Sequence, residues 1–187
     1  PNATGISELV PEPPALAALP TWVASRVPLA QDTAALWAPD MYMAGNESRP
    51  GHPSALRMYY SVSTFGSQVS CIGLATAAPP RQGVKTHSFI DAGRPVICSN
   101  ASTAFNAIDP CPMVLRQGAG ARLEHWLTFG SFWGGIYATA LDADTGFAQS
   151  AAIGPLAVAP SGTNAIEASF ALQRGGWIYL WVNWGLC

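Results

Sequence analysis

Charged residues are scarce in this sequence, and their scarcity argues against two classes of partner. Only 11% of the 187 residues are charged, and they include a single lysine, Lys85; soluble domains usually carry about a quarter. The net charge is −2, so the chain lacks the basic surface that phosphate binding requires. It also lacks any apolar run near the roughly 20 residues that span a bilayer. We therefore expect neither nucleic acid nor a membrane as a partner.

Closely spaced cysteines and histidines, which mark most metal sites, are also missing. The three histidines stand far apart in the sequence, at His52, His87 and His125. The four cysteines have no CxxC spacing, and they are either buried free thiols or include one disulfide: Cys71, Cys98, Cys111 and Cys187. No metal site is expected in this chain.

Glycosylation sequons are the main indication of compartment. Three Asn-x-Ser/Thr sequences occur in polar, turn-like stretches, at Asn2, Asn46 and Asn100. The chain starts at Pro1 without a signal-peptide pattern, so any signal was removed or is not included. The sequons favour a secreted protein.

Long uninterrupted segments are absent, because 16 prolines and 18 glycines divide the chain. Residues 1–20 are rich in proline and alanine, and we interpret them as an irregular leader. The remainder predicts short strands at 21–27, 40–44, 56–63, 69–76, 87–90, 107–115, 123–130, 134–141, 151–158, 165–172 and 176–183. This pattern predicts an all-β fold, either a sandwich or a propeller.

The most distinctive feature is an acidic residue that recurs before an aromatic stretch. Asp109 is followed by aromatic residues at 126–133, and Glu167 by others at 177–184. Asp40 begins a third copy upstream, and it is expected to tie blades together or, by symmetry, to be catalytic. The repeat favours a propeller, because acids at equivalent positions of successive blades converge near one axis.

The spacing of these acids limits the number of blades. From 40 to 109 is 69 residues and from 109 to 167 is 58, so three units nearly fill the chain. A closed propeller has about four to eight blades, so we expect an incomplete propeller of about three. Converging carboxylates suggest glycoside hydrolysis, in which one acid protonates the leaving group and one base activates water.

Several motifs resemble, in collinear order, those of the endo-1,5-α-L-arabinanases of glycoside hydrolase family 43. The resemblance runs from about Pro20 to Cys187. The motifs that carry it are Trp37-Ala38-Pro39-Asp40, Tyr60-Ser61-Val62-Ser63-Thr64-Phe65-Gly66-Ser67-Gln68, Ile72-Gly73-Leu74-Ala75-Thr76, Asn106-Ala107-Ile108-Asp109-Pro110, Phe129-Gly130-Ser131-Phe132-Trp133, Ile166-Glu167-Ala168 and Trp184-Gly185-Leu186-Cys187.

The resemblance implies a five-bladed β-propeller that inverts the anomeric configuration. It implies that Glu167 is the general acid and that Asp109 modulates the pKa of the acid and orients the substrate. The general base belongs to a His-Asp-Pro-type motif on the first blade, which this sequence does not contain. On this basis residues 1–20 are the end of a missing first blade, and 21–187 are a partial glycosidase domain. Family members also hold an axial metal ion, such as calcium, through a histidine on a last blade, which this chain lacks.

The resemblance further implies that Trp37, Phe65, Asn106 and Ser131 bind substrate. The expected partner is plant cell-wall arabinan, a side chain of pectin. Ala168 stands where the family commonly has glycine.

Other readings of the same residues stay open. Trp37 and Phe65 are alternatively core aromatics, and Trp133 and Trp184 are expected to pack between blades. The chain is alternatively an inactive carbohydrate-binding remnant, or a related arabinofuranosidase or xylosidase.

Overall fold

The computed structural model of the chain describes residues 14–45, 55–78, 88–116, 118, 123–160 and 164–185. These residues form ten strands, one helical turn, α1 (Val23–Arg26), and one 3-10 turn, Thr33–Ala35. The strands are β1 (Leu36–Ala44), β2 (Ala55–Val62), β3 (Ser70–Ala77), β4 (Ile90–Ser99), β5 (Cys111–Arg116), β6 (Leu123–Phe129), β7 (Ile136–Leu141), β8 (Ile153–Ala157), β9 (Ile166–Arg174) and β10 (Trp177–Trp184). The all-β prediction is confirmed.

The strands form three antiparallel sheets in which each strand pairs with the next one in sequence. Two sheets have four strands, in the orders β1-β2-β3-β4 and β5-β6-β7-β8, and the third pairs β9 with β10. The first strands of the sheets are neighbours, because β5 contacts both β1 and β9. Side chains from the first two sheets share one apolar cluster, which includes Tyr59, Ile72, Leu127 and Phe129.

Each sheet begins with the same backbone hydrogen bond. Carbonyl oxygens of Ala35, Ile108 and Ala165, just before the first strands, accept N–H groups that follow the second strands at 3.1, 2.9 and 3.0 Å. Asp109 therefore follows the shared position by one residue and Glu167 by two, whereas Asp40 follows it by five. The predicted equivalence of Asp40 with the other two acids is wrong, because a register shift between Trp37 and Asp40 places the acid inside β1.

A polar clamp joins the first two sheets. Arg57, which is buried in β2, donates to the carbonyl oxygens of Ala143 at 3.0 Å and Asp144 at 2.5 Å. Tyr59, on the same strand, donates to the carbonyl oxygen of Gly146 at 2.8 Å. The loop between β7 and β8 is therefore held by side chains of another sheet.

Three predicted strands differ from the observed elements. The segment predicted as a strand at 21–27 contains the helical turn α1, whose Val23 and the following Val27 are buried in an apolar cluster. The strand predicted at 40–44 starts earlier, at Leu36. The strand predicted at 87–90 is observed as Ile90–Ser99, and residue 87 lies outside the described residues.

The structure resolves the alternatives for three of the cysteines. Cys71 and Cys98, directly opposite each other on β3 and β4, form a disulfide, and Cys111 is a buried free thiol. Cys187 lies outside the described residues. Of the sequons, Asn100 lies exposed in the turn after β4, while those at 2 and 46 fall in ranges that the structure does not describe. Within the described ranges, no helix has the length and apolar character to cross a membrane.

Candidate functional site

One cavity of about 500 Å³ opens where the first strands of the three sheets begin. Its walls come from the turn after β2, the segment before β5, the loop after β6 and the start of β9. The residues that line it are Trp37, Ser63, Thr64, Phe65, Gly66, Ser67, Asn106, Ile108, Asp109, Ser131, Phe132, Trp133, Asn164 and Glu167. All six residues that the resemblance assigned to catalysis or substrate binding are among them.

Glu167 is the second residue of β9, and contacts from the loop after β6 fix its position. The hydroxyl of Ser131 donates to Glu167 Oε2 at 3.0 Å. The backbone N–H of Phe132 donates to the carbonyl oxygen of Ile166, the residue before the acid, at 2.8 Å. The second sheet therefore holds both the backbone and the carboxyl group of Glu167.

Asp109 lies just before β5 and connects all three sheets. Its N–H donates to the hydroxyl of Ser61, at the end of β2, at 3.0 Å. Its Oδ2 accepts the backbone N–H of Ala168, the residue after Glu167, at 3.1 Å. Because these bonds span 48 and 59 residues of sequence, only the assembled sheets create the site.

Burial raises the pKa of Asp109 to about 6, and the nearby Glu167 charge raises it further against the lowering effect of the Ala168 N–H. The two carboxyl groups are therefore close enough to interact, as the predicted pairing requires. The role of Asp109 as modulator of the general acid stays a prediction.

Strained backbone is concentrated around this cavity. Six non-glycine residues among those described have positive φ, and each lines the cavity or adjoins a residue that does: Ala38, Asp109, Phe132, Trp133, Asn164 and Ala168. Such conformations cost about 1–3 kcal/mol each and cluster at functional sites. The strain is independent evidence that this cavity is a functional site.

The predicted aromatic residues lie at the mouth and wall of the cavity. Phe65, in the turn after β2, is fully exposed. Trp37 is partly buried, and its indole N–H donates to the carbonyl oxygen of Ala34 at 2.7 Å. A fully exposed ring at a cavity rim is available to stack on an apolar face of a ligand. These positions exclude Phe65 as a core residue.

Asn106 is buried at the back of the cavity, where the hydroxyl of Ser99 contacts its Oδ1 at 3.4 Å. Trp133 was expected to pack between blades, but it lines the cavity and is 37% exposed. Trp184, also expected between blades, is 67% exposed on β10. The two glycines after Trp133 are the sequence signal for a turn there.

Sequence reasoning missed several lining residues, among them Thr64, Ser67 and Asn164. Asn164 shows one usable signal, since asparagine tolerates positive φ and stands directly before the Ala165-Ile166-Glu167 motif. Asp40 does not line the cavity; its carboxylate hydrogen-bonds the Cys111 thiol at the start of β5 and raises the thiol pKa, an effect secondary to burial. This contact agrees with the expectation that Asp40 ties sheets together.

The acids that line the cavity are Asp109 and Glu167. Over the described ranges, no group of three His, Cys, Asp or Glu side chains is placed to hold a metal ion. The described residues therefore do not fit the axial metal site that the resemblance implies, and no step below is assigned to a metal.

Comparison with known protein families places the chain among carbohydrate-active enzymes. The sequence model of "Glycosyl hydrolases family 43" matches residues 16–187. A probable arabinan endo-1,5-alpha-L-arabinosidase A of Aspergillus clavatus is 37% identical over 154 residues, which are 81% of this chain and 41% of the relative. The match thus spans less than half the length of that fungal protein.

Solved structures agree with the sequence match. An exo-1,5-alpha-L-arabinanase from a bovine ruminal metagenomic library has a TM-score of 0.76 and 32% identity, covering 95% of this chain and 54% of its own. The alpha-L-arabinanase of Cellvibrio cellulosa in complex with arabinohexaose has a TM-score of 0.68 and 30% identity, covering 92% and 53%. The chain spans about half the length of these structures.

Proposed function

Because this chain belongs to glycoside hydrolase family 43, we propose that its protein is an endo-1,5-α-L-arabinanase that cleaves internal bonds of arabinan with inversion. The observation that carries the proposal is the pair of carboxyl groups, Asp109 and Glu167, joined through the Ala168 N–H in a cavity rimmed by aromatic rings. The arabinan-directed names of the fungal and bacterial relatives support the choice of sugar.

In this proposal Glu167 is the general acid. Its proton passes to the oxygen of the departing sugar as the glycosidic bond breaks, and water activated by a base attacks the opposite face. Asp109 lies beside Glu167 and opposes a second negative charge in the cavity, because both groups are close and Asp109 is half-buried. Phe65 and Trp37 supply apolar faces for the sugar rings.

The base is proposed to come from residues outside this sequence. No His-Asp-Pro motif occurs in the 187 residues, and Asp109 is assigned a different role. An inverting pair stands about 6.5–9.5 Å apart to admit the water. The present residues therefore supply the acid side of the cleft.

We further propose that the three sheets are successive blades of a five-bladed propeller. Residues 1–20 would end a first blade, and 21–187 would be the partial propeller domain. The shared hydrogen bond at the start of each sheet supports this arrangement. Secretion is proposed because of the Cys71–Cys98 disulfide and the exposed sequon at Asn100. An axial metal held by a histidine outside this sequence also stays a proposal.

The test is hydrolysis of linear α-1,5-arabinan by the full-length protein, with whatever residues precede and follow this chain. The wild type should release arabino-oligosaccharides, and Glu167→Gln should lower kcat by at least about 10³-fold, since a catalytic unit loses its proton donor. Glu124→Gln is the matched control, because Glu124 lies on β6 outside the cavity and accepts from the Trp126 indole at 3.2 Å. Unchanged activity of the Glu167 variant would refute the assignment.

Product size separates this proposal from a second candidate, exo-cleavage. The similarity to the ruminal exo-arabinanase favours that candidate, which predicts mainly a single short product from chain ends. Mixed oligosaccharides at early times support the endo mode. Binding of arabinan without any cleavage would instead indicate a carbohydrate-binding remnant, and cleavage of xylosides alone would indicate a related xylosidase.

A further inference from the structure

We propose that Ser131 is a positioning residue for Glu167, holding one oxygen of its carboxyl group so that the other oxygen faces the substrate. This inference rests on the proposed function, because it assigns a role within the same acid-assisted cleavage. It differs from the role that the family resemblance implies for Ser131, which is direct contact with substrate.

The contacts of Ser131 favour Glu167 as its partner. The side chain is only 3% exposed although it lines the cavity. A serine hydroxyl carries one hydrogen, and here that hydrogen is donated to Glu167 Oε2 at 3.0 Å. The donor capacity of Ser131 is therefore used within the protein rather than on a sugar.

The loop that carries Ser131 has a closely determined path. Gly130 and Gly135 flank its turn with φ of 131° and 90°, and a Cβ atom on either would lie 2.3 or 2.2 Å from a backbone oxygen. The Phe132 N–H joins the loop to Ile166, next to the acid. Because the backbone is fixed on both sides of the contact, the hydroxyl is delivered to a defined point.

Such a contact removes a freedom that the rest of the site leaves. The backbone of Glu167 is held on one side by the bond to Ile166 and on the other by the bond from Ala168 N–H to Asp109. The terminal torsion of a glutamate is nonetheless broad, so its carboxyl group can rotate. Ser131 fixes Oε2, and Oε1 is then the oxygen that carries the proton toward the leaving group. Misplacing a proton donor costs about 10- to 100-fold in rate.

The test compares Ser131→Ala with Ser169→Ala in the full-length protein on two substrates. Ser169 is a matched control, because it is also buried, lies on β9 and bonds another hydroxyl, that of Thr128, at 3.1 Å. Linear arabinan needs a protonated leaving group, whereas a 4-nitrophenyl arabinotrioside does not. Ser131→Ala should lower kcat on arabinan about 10- to 100-fold with KM within about twofold, and change kcat on the aryl substrate less than about threefold. Ser169→Ala should leave both rates unchanged.

Equal losses on both substrates, or a rise in KM alone, would show direct substrate contact and overturn the proposal. Failure of the proposed function is distinguishable, because it appears as wild-type inactivity or as full activity of Glu167→Gln. A crystal structure of Ser131→Ala tests the inference without activity. The Glu167 carboxyl group should then take more than one orientation, and a single unchanged orientation would overturn it.

Discussion

Ala168 has a left-handed backbone, with φ of 50°, beside the candidate acid. Its N–H points at Asp109 Oδ2 only because the chain takes this conformation. Glycine adopts such φ values without the steric cost that a Cβ atom incurs. The glycine expected at this position from the family resemblance therefore has a physical cause, which is the backbone direction needed to reach Asp109.

Ala168→Gly should stabilise the protein by up to about 1 kcal/mol. Relief of the left-handed conformation is worth about 1–2 kcal/mol, and the greater freedom of glycine in the unfolded chain removes about half of it. Denaturant unfolding measures the change. Ala171→Gly is the control on the same strand, since Ala171 is buried and has no positive φ, and it should destabilise by about 1 kcal/mol. Equal destabilisation by both changes would contradict the argument.

The residues of the site differ in how far the sequence reveals them. Asp109 and Glu167 stand in motifs of several residues, so their shared cavity could be predicted from the pattern. Ser131 could be placed in the cavity, but its bond to Glu167 could not, because it depends on how two loops from different sheets meet. Trp133 was misjudged since a tryptophan within apolar sequence gives no sign of which ring face is exposed.

At the scale of elements, the clamp around Arg57 holds the first two sheets in register. The guanidinium group is buried and donates to two backbone carbonyl oxygens and, at 3.2 Å, to the hydroxyl of Tyr42. Buried carbonyl groups without a donor are costly. One side chain thus satisfies acceptors on both sides of the contact between the sheets.

Arg57→Met should lower the free energy of unfolding by about 2–4 kcal/mol. The change keeps a long side chain but leaves the acceptors of Ala143, Asp144 and Tyr42 without their charged donor. Arg174→Met, at the exposed end of β9, is the matched control and should change stability by less than about 0.5 kcal/mol. Thermal and denaturant unfolding compare the two. A loss equal to that of the control would show that the clamp is dispensable.

Most strands could be predicted because they are short, apolar and bounded by turn residues. The errors fall where tertiary contacts override local pattern. The turn α1 reads as a strand because its apolar residues form a short run, and the hydrogen bond from the Trp22 indole to Asp91, on distant β4, is invisible in the sequence. β4 was missed because Gly93 and Pro95 interrupt it, and the observed pairing accommodates them with register shifts.

At the scale of the whole molecule, Asp109 makes stability depend on pH. Its pKa is about 6 in the folded chain and 3.8 for the unperturbed group. Because the folded value is the higher one, the protonated form favours folding. That contribution is fully present below about pH 3.8 and is lost as the pH rises through 6.

Asp109→Asn should therefore stabilise the fold at pH 7.5 by up to about 3 kcal/mol and have little effect near pH 3.5. Asparagine keeps an oxygen that can accept the Ala168 N–H. Urea unfolding at the two pH values measures the difference, with the exposed Asp144→Asn as control. A stability gain that does not depend on pH would contradict the assigned cause.

The consecutive pairing of strands within each sheet has a consequence for the order of folding. Contacts between adjacent hairpin strands close short loops, and short loops form quickly. The bonds that define the site instead join residues 36, 48 and 59 positions apart, each bond between different sheets. Individual sheets can therefore form before they dock, and the site arises only at docking. An intermediate with well-formed sheets would have no site, so spectroscopic recovery of β structure during refolding would precede the appearance of the Asp109–Glu167 cavity.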